Sequence, residues 1–194
     1  MKELATALSR ARFKTFLPQE DGLELAVCVD VLAERGVDPN VAATMLARAI
    51  FALDVYQVIE GCDAIVVNLN GRVPDEGAVS EAAIAWCFGK PIVGYKADPR
   101  SLLAGQDNPL VAGLFDFELC MTVEETVEAL ERSFAARRSG EEHAKWRSQQ
   151  IRGYLEFGRE VCQAVSAEDK SQGIEQLASI LRERYAGQTR RPTT

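Results

Sequence analysis

CDAIVVNLNGRVPDEGAVSEAAIAWCFGKPIVGYKADPR, residues 62–100, reads as strand, loop, helix and strand in succession. Asp63-Ala64-Ile65-Val66-Val67-Asn68 has an apolar, largely β-branched centre, as expected of a parallel strand covered on both faces. Residues 69–77 make the loop, punctuated by Gly71, Pro74 and Gly77. The pattern then predicts a helix over residues 78–88, stopped by Gly89 with Pro91 beyond it. Pro91-Ile92-Val93-Gly94-Tyr95 forms the next strand. Glu81 falls in the first turn of that helix, just past the strand's C-terminal end. In open α/β sheets that edge is where ligands bind.

Working outward toward the N-terminus, residues 2–11 read as helix and Phe13-Lys14-Thr15-Phe16-Leu17 as a strand ended by Pro18. Asp21-Gly22 is a turn signal, and residues 23–34 have helical spacing up to Gly36. Asp38-Pro39 opens a longer helix, with proline at a tolerated first-turn position, and Gly61 breaks it. On the other side, residues 98–114 are rich in loop formers, and residues 115–121 offer a last strand. Thr122 and Glu125 form a capping box before a helix striped with Val123, Val127, Leu130 and Phe134. Past Gly140 the character changes: residues 141–166 and 170–185 read as two amphipathic helices, followed by a polar tail.

Strands alternating with helices predict an α/β fold, a flavodoxin-like or Rossmann-like parallel sheet with helices on both faces. Residues 1–138 form this domain and residues 139–194 a C-terminal helical extension. Such domains ordinarily start with a strand, whereas this sequence starts inside a helix.

Composition narrows the function. The net charge of −7 argues against a nucleic-acid or anionic-membrane partner, which requires a basic face. No apolar run approaches the roughly 20 residues that span a bilayer. Residues 1–13 lack a signal peptide's apolar core. Cys28, Cys62, Cys87, Cys120 and Cys162 are scattered, without a C-x-x-C pair, and read as reduced, mostly buried thiols of a cytoplasmic protein. No G-x-G-x-x-G or Walker pattern occurs. His143 is the only histidine, so neither a histidine-based triad nor a histidine metal site is expected.

The chemistry concentrates in Asp75, Gly77 and Glu81, spaced D-x-G-x-x-x-E. If Gly77 lets the backbone turn tightly, Glu81 emerges near the helix N-terminus, where the dipole favours its charged form. An ionised carboxylate aimed into a cleft is a nucleophile toward an electrophilic sugar carbon. Asp75 is placed to accept hydrogen bonds from a ligand or to shuttle a proton. On spacing alone, a Glu in a helix's first turn is most often a simple dipole partner.

The same residues resemble the signature of the nucleoside 2-deoxyribosyltransferase family: an Asp-led apolar strand, D-x-G-T-x-x-E-x-G-x-A, G-K-P-V and a strand, then D-x-R. Here these read Asp63-Ala64-Ile65-Val66-Val67, DEGAVSEAAIA from Asp75, GKPIVGY from Gly89, and Asp98-Pro99-Arg100. Phe16-Leu17-Pro18-Gln19, Ile50-Phe51-Ala52-Leu53-Asp54 and NPLVAG from Asn108 extend the resemblance over roughly residues 13–135. Ala78 stands where the family has Thr, and Ala83 where it has a second Gly. Family members also carry a central first strand of the form K-I-Y-L-A-G-P that this sequence lacks; the favoured expectation is a start lying upstream of Met1, the alternative a member that has lost this strand.

The resemblance implies transfer of 2-deoxyribose between nucleobases in nucleotide salvage, with no cofactor or metal. Glu81 would be the nucleophile of a double displacement at C1′, through a glycosyl-enzyme ester. Asp75 would hydrogen-bond the base and help protonate it. Asp54, Gly77 and Asn108 would serve substrate binding, with Asn108 lent to a neighbouring subunit's site. The implied partners are 2′-deoxynucleosides, free nucleobases and at least one further copy of the chain. One alternative is a hydrolase, an N-glycosidase of 2′-deoxynucleoside 5′-monophosphates, for which Ser80 and Arg72 would supply phosphate donors. Another is a non-catalytic nucleotide-binding or scaffold protein. Asp63, Asp98 and Arg100 are expected to be structural, Trp86 and Trp146 to be packing residues, and His143 to be solvated.

Overall fold

The computed structural model describes residues 2–23, 25–100, 107–138 and 143–185. The chain divides into two compact units, Met1–Gly140 and Glu141–Thr194. The first contains β1 (Ile65–Asn68), β2 (Ile92–Tyr95) and β3 (Leu119–Cys120), in that spatial order and all parallel. Ile65 pairs with Ile92 and Asn68 with Tyr95, while Gly94 and Tyr95 pair with Leu119 and Cys120. Among the described residues β1 has β2 alone as a neighbour, and the family's K-I-Y-L-A-G-P strand has no counterpart.

Strand alternation sends side chains to two apolar layers. On one face Val66, Val93, Tyr95 and Cys120 pack with α1 (Lys2–Arg10) and α7 (Val123–Arg138), around Leu4, Leu8 and Leu130. Leu4 and Leu8 are one helical turn apart, and burying each stabilises the fold by about 1.5–3 kcal/mol. On the other face Ile65, Val67, Ile92 and Leu119 pack with α5 (Glu76–Cys87) and α6 (Pro109–Gly113), through Ala82, Val111 and Phe115. The sheet is thus a parallel α/β layer with helices on both faces. α2 (Pro18–Asp21), α3 (Leu25–Glu34) and α4 (Pro39–Tyr56) precede it, and α3 packs along α4.

Local chemistry fixes the boundaries. Asp38 caps α4 by accepting the Asn40 and Val41 amides at 2.9 and 3.3 Å, with Pro39 in the first turn. Thr122 and Glu125 form the expected capping box of α7: Thr122 Oγ1 accepts the Glu125 amide at 3.1 Å, and Glu125 accepts those of Thr122 and Met121 at 3.3 and 2.7 Å. In the second unit α8 (His143–Val165) and α9 (Lys170–Tyr185) form a hairpin. Asp169 caps α9, and Gly173 lies against the Ala164 carbonyl, where any Cβ would collide. Residues 188–194 lie outside the described residues, as do the side chains of His143 and Trp146.

Four expectations change. Residues 13–17 join no strand; Phe13 instead packs on Phe134, ring centroids 5.6 Å apart. Only Leu119–Cys120 of the expected strand at residues 115–121 is strand, because the chain first passes through α6 and a turn with Asp116 and Phe117 at φ 53° and 63°. By length and composition alone residues 39–61 could cross a membrane, an 18-residue window within them reaching a mean hydropathy of 1.4, although they carry Arg48, Asp54 and Glu60. The free cysteines are less buried than expected: Cys87 and Cys162 are exposed and the other three half-buried.

Candidate active site

The site grows from the end of β1. Asp75 closes the loop after that strand by capping α5, its Oδ1 accepting the Ala78 amide at 2.8 Å. Helix therefore begins at Glu76, two residues earlier than the spacing predicts. Asp75 supplies the cap oxygen, so alanine at position 78 costs the helix nothing there. Gly77 serves by its size. It lies in the first turn of α5, and a Cβ on it would stand 3.1 Å from the capping Oδ1. The left-handed glycine of this loop is Gly71, at φ 114°.

The earlier start moves Glu81 into the second turn of α5, two residues deeper than expected. Its neighbour Ala82 is fully buried against the sheet, and Glu81 itself is half-buried. Burial pushes the Glu81 carboxyl above the usual carboxylate range, and the charges of Asp54 and then Asp75 push it further. The environment thus opposes ionisation, where the helix dipole alone was expected to favour it. Asp54 reaches this group from the last turns of α4. Directly after it the helix widens into a π turn at Gln57–Gly61, which packs on α5; Cys62 N–H donates to Gln57 O at 2.8 Å. The sequence carries no signal for the π turn beyond Gly61 at its end.

The charges of Asp54 and Asp75 thus both act on Glu81, with Gly77 beside Asp75. Asn108 stands apart, exposed at the start of α6, where its Oδ1 accepts the Leu110 amide at 2.9 Å. The residue before it, Asp107, is ion-paired at 2.6 Å with Lys96, which directly follows β2. Asn108 is therefore tied to the C-terminal edge of the sheet, the edge from which the loop to Asp75 also leaves.

Two further polar groups were not foreseen. Asn70 Oδ1 accepts the amides of Ala97 and Asp98, both at 2.8 Å, and Asn70 Nδ2 donates to Asn68 Oδ1 at 2.8 Å. These bonds join the loop after β1 to the loop after β2. Asp98 and Arg100 pair with each other, Arg100 Nε donating to Asp98 Oδ1 and Oδ2 at 2.9 and 3.0 Å. Hydrogen bonds from Arg100 hold Asp98 well below the usual carboxylate range, in the structural role expected of the pair. Ser80 commits its hydroxyl proton to Glu76 O at 2.8 Å, and Arg72 is exposed in the loop before Asp75. Among the described residues, no three His, Cys, Asp or Glu side chains are grouped to hold a metal ion.

The scaffold and its acidic cluster meet an independent finding. The sequence model of the family described as nucleoside 2-deoxyribosyltransferase matches residues 1–132, which run from α1 into α7 and include all five candidate residues. No curated protein matches the chain. Membership supports an enzyme of the deoxyribosyltransferase or N-glycosidase kind, with nucleosides and nucleobases as its substrate class. A match over more than half of the sequence, on a parallel α/β sheet with the D-x-G-x-x-x-E carboxylates past the C-terminal end of β1, places this chain in the nucleoside 2-deoxyribosyltransferase family.

Proposed function

We propose that the protein transfers 2-deoxyribose from one nucleobase to another by double displacement, with Glu81 as nucleophile. The observation that carries this reading is the placement of Glu81: half-buried, raised in pKa, and flanked by Asp54 and Asp75 past the C-terminal end of β1. A carboxylate that is costly to ionise is a stronger base once ionised, and so a better nucleophile.

In the first displacement a Glu81 oxygen bonds to C1′ as the N-glycosidic bond breaks, its electron pair leaving with the base. Asp75 holds a proton in the donor complex; oriented by the Ala78 amide on one oxygen, it hydrogen-bonds the departing base through the other and passes it that proton, ending ionised. The incoming base attacks C1′, displaces the Glu81 carboxylate and returns a proton to Asp75. Two inversions retain the configuration at C1′. Asp54 and Gly77 line the ligand, and Asn108 serves the sugar in a neighbouring subunit's site. The carboxylate is itself the nucleophile, so these steps call on no cofactor.

Self-association is supported by α3 and α4. α3 buries none of its residues within the chain, and Leu25, Val27, Val31, Val41, Met45 and Phe51 are all exposed. A surface of this kind fits a second copy of the chain better than water. Residues 1–138 carry the site, with residues 139–194 as an appended helical unit, in a cytoplasmic homo-oligomer of nucleotide salvage.

The N-glycosidase reading differs in the acceptor, water in place of a base, and in needing donors for a 5′-phosphate. Exposed Arg72 favours it, while Ser80, bonded to Glu76 O, does not. Incubating the protein with a 2′-deoxynucleoside and a different free base separates the readings. A new deoxynucleoside supports transfer. Free base alone, released faster from monophosphates, supports hydrolysis. Binding without turnover supports the non-catalytic alternative.

A further inference from the structure

Lys96 and Asp107 pair at 2.6 Å with side chains only 8% and 10% exposed, and the chemistry above uses neither. Removing two charges from water is expensive, and an apolar pair of similar volume is often as stable or more so. Stability alone is therefore a poor reason for an ammonium and a carboxylate here. Their placement offers a better one. Lys96 directly follows β2, and its backbone N–H donates to Cys120 O at 2.8 Å, fixing it between β2 and β3. Asp107 directly precedes Asn108, whose side chain caps α6. A charge-assisted hydrogen bond has a set length and direction, whereas apolar contacts tolerate slip. Asp107 and Asn108 are adjacent in the chain, so a displacement of one carries the other.

We propose that the Lys96–Asp107 pair is a positioning device, which fixes Asn108 at the C-terminal edge of the sheet and thereby sets the affinity of the site for the deoxyribosyl donor. This rests on the role given to Asn108 under Proposed function. Neither Lys96 nor Asp107 touches substrate; both act through the start of α6.

The test is a double-mutant cycle on the full chain, read as KM and kcat for a 2′-deoxynucleoside donor in base exchange. Asp107→Asn keeps the shape and removes the charge. Asp107→Asn and Asn108→Ala each raise KM about tenfold with kcat within about twofold, and the two combined still raise it only about tenfold over the wild type, not a hundredfold. Lys96→Met/Asp107→Leu removes both charges and leaves no buried ion unpaired, so it melts at or above the wild type yet shows the same rise in KM. Additive effects, or an unchanged KM in that stable double variant, overturn the positioning role while Asn108→Ala retains its effect. An Asn108→Ala protein with wild-type KM, or a wild type without exchange activity, fails the reading of the site and overturns this inference with it.

Discussion

Asp75 and Glu81 belong to the same helix start: Asp75 caps α5 through the Ala78 amide at 2.8 Å, and its charge raises the pKa of Glu81 in the second turn. Asp75 thus bears on both the position and the basicity of Glu81. Burial is the largest cause of the raised pKa, Asp54 from α4 comes next and Asp75 third.

The two duties of Asp75 separate on substitution. Asp75→Ala loses the cap and destabilises the protein by about 1 kcal/mol, whereas Asp75→Asn, an equally good cap, changes stability by only a few tenths. Urea unfolding of both variants measures this, and the exchange rate falls in both.

The raised pKa of Glu81 fixes the sign of two pH effects. Reaction through ionised Glu81 has an acid limb above the usual carboxylate range, and Asp54→Asn moves that limb to lower pH. For stability, Glu81 binds its proton more tightly folded than unfolded. Its contribution is fully present below its unfolded pKa and is lost as pH rises through its folded value. Glu81→Gln therefore melts higher than the wild type at pH 8, and the gap closes below about pH 4, near the ordinary glutamate pKa. Thermal melts across pH read this directly.

Gly94 in β2 leaves room for the layer beneath α5 and α6. A Cβ there would sit 2.5 Å from Leu119 Cδ2 and 3.0 Å from the Phe115 ring. Gly94→Ala destabilises by about 1–3 kcal/mol through overpacking, measured by urea unfolding.

The exposed apolar faces of α3 and α4 predict a concentration-dependent assembly. Val27 and Met45 are each 51% exposed in the single chain, so Val27→Asp and Met45→Asp change the fold of one copy little. Each shifts the mass seen by light scattering toward that of a monomer.

What the sequence made legible follows from where its signals are local. The β1–α5–β2 unit announces itself through β-branched runs and glycine stops, and the capping box of α7 through Thr122 and Glu125. Asp38-Pro39 reads as a helix start, yet Asn108-Pro109, a similar cap followed by proline, starts α6 inside a stretch whose composition reads as loop. Phe13 to Leu17 has a strand's composition but no ladder partner in the described sheet, and strand formation depends on that partner. Lys96 and Asp107 lie 11 residues apart, and Asn70 and Ala97 lie 27 apart. No local pattern records such contacts. Glu81, Asp75 and Asp54 were legible as chemistry through the family resemblance; the cap that shifts the helix start, and the burial that raises Glu81, depend on packing.

The central claim is that Glu81 carries the deoxyribosyl group between bases. Its most direct measurement is the mass of the protein after a brief reaction with a 2′-deoxynucleoside and no acceptor base, followed by an acid quench. The account predicts one added deoxyribosyl group on Glu81, absent from Glu81→Gln and discharged by a second base to give a new deoxynucleoside. An unmodified Glu81 in a protein that still exchanges bases, or exchange that survives in Glu81→Ala, would contradict it.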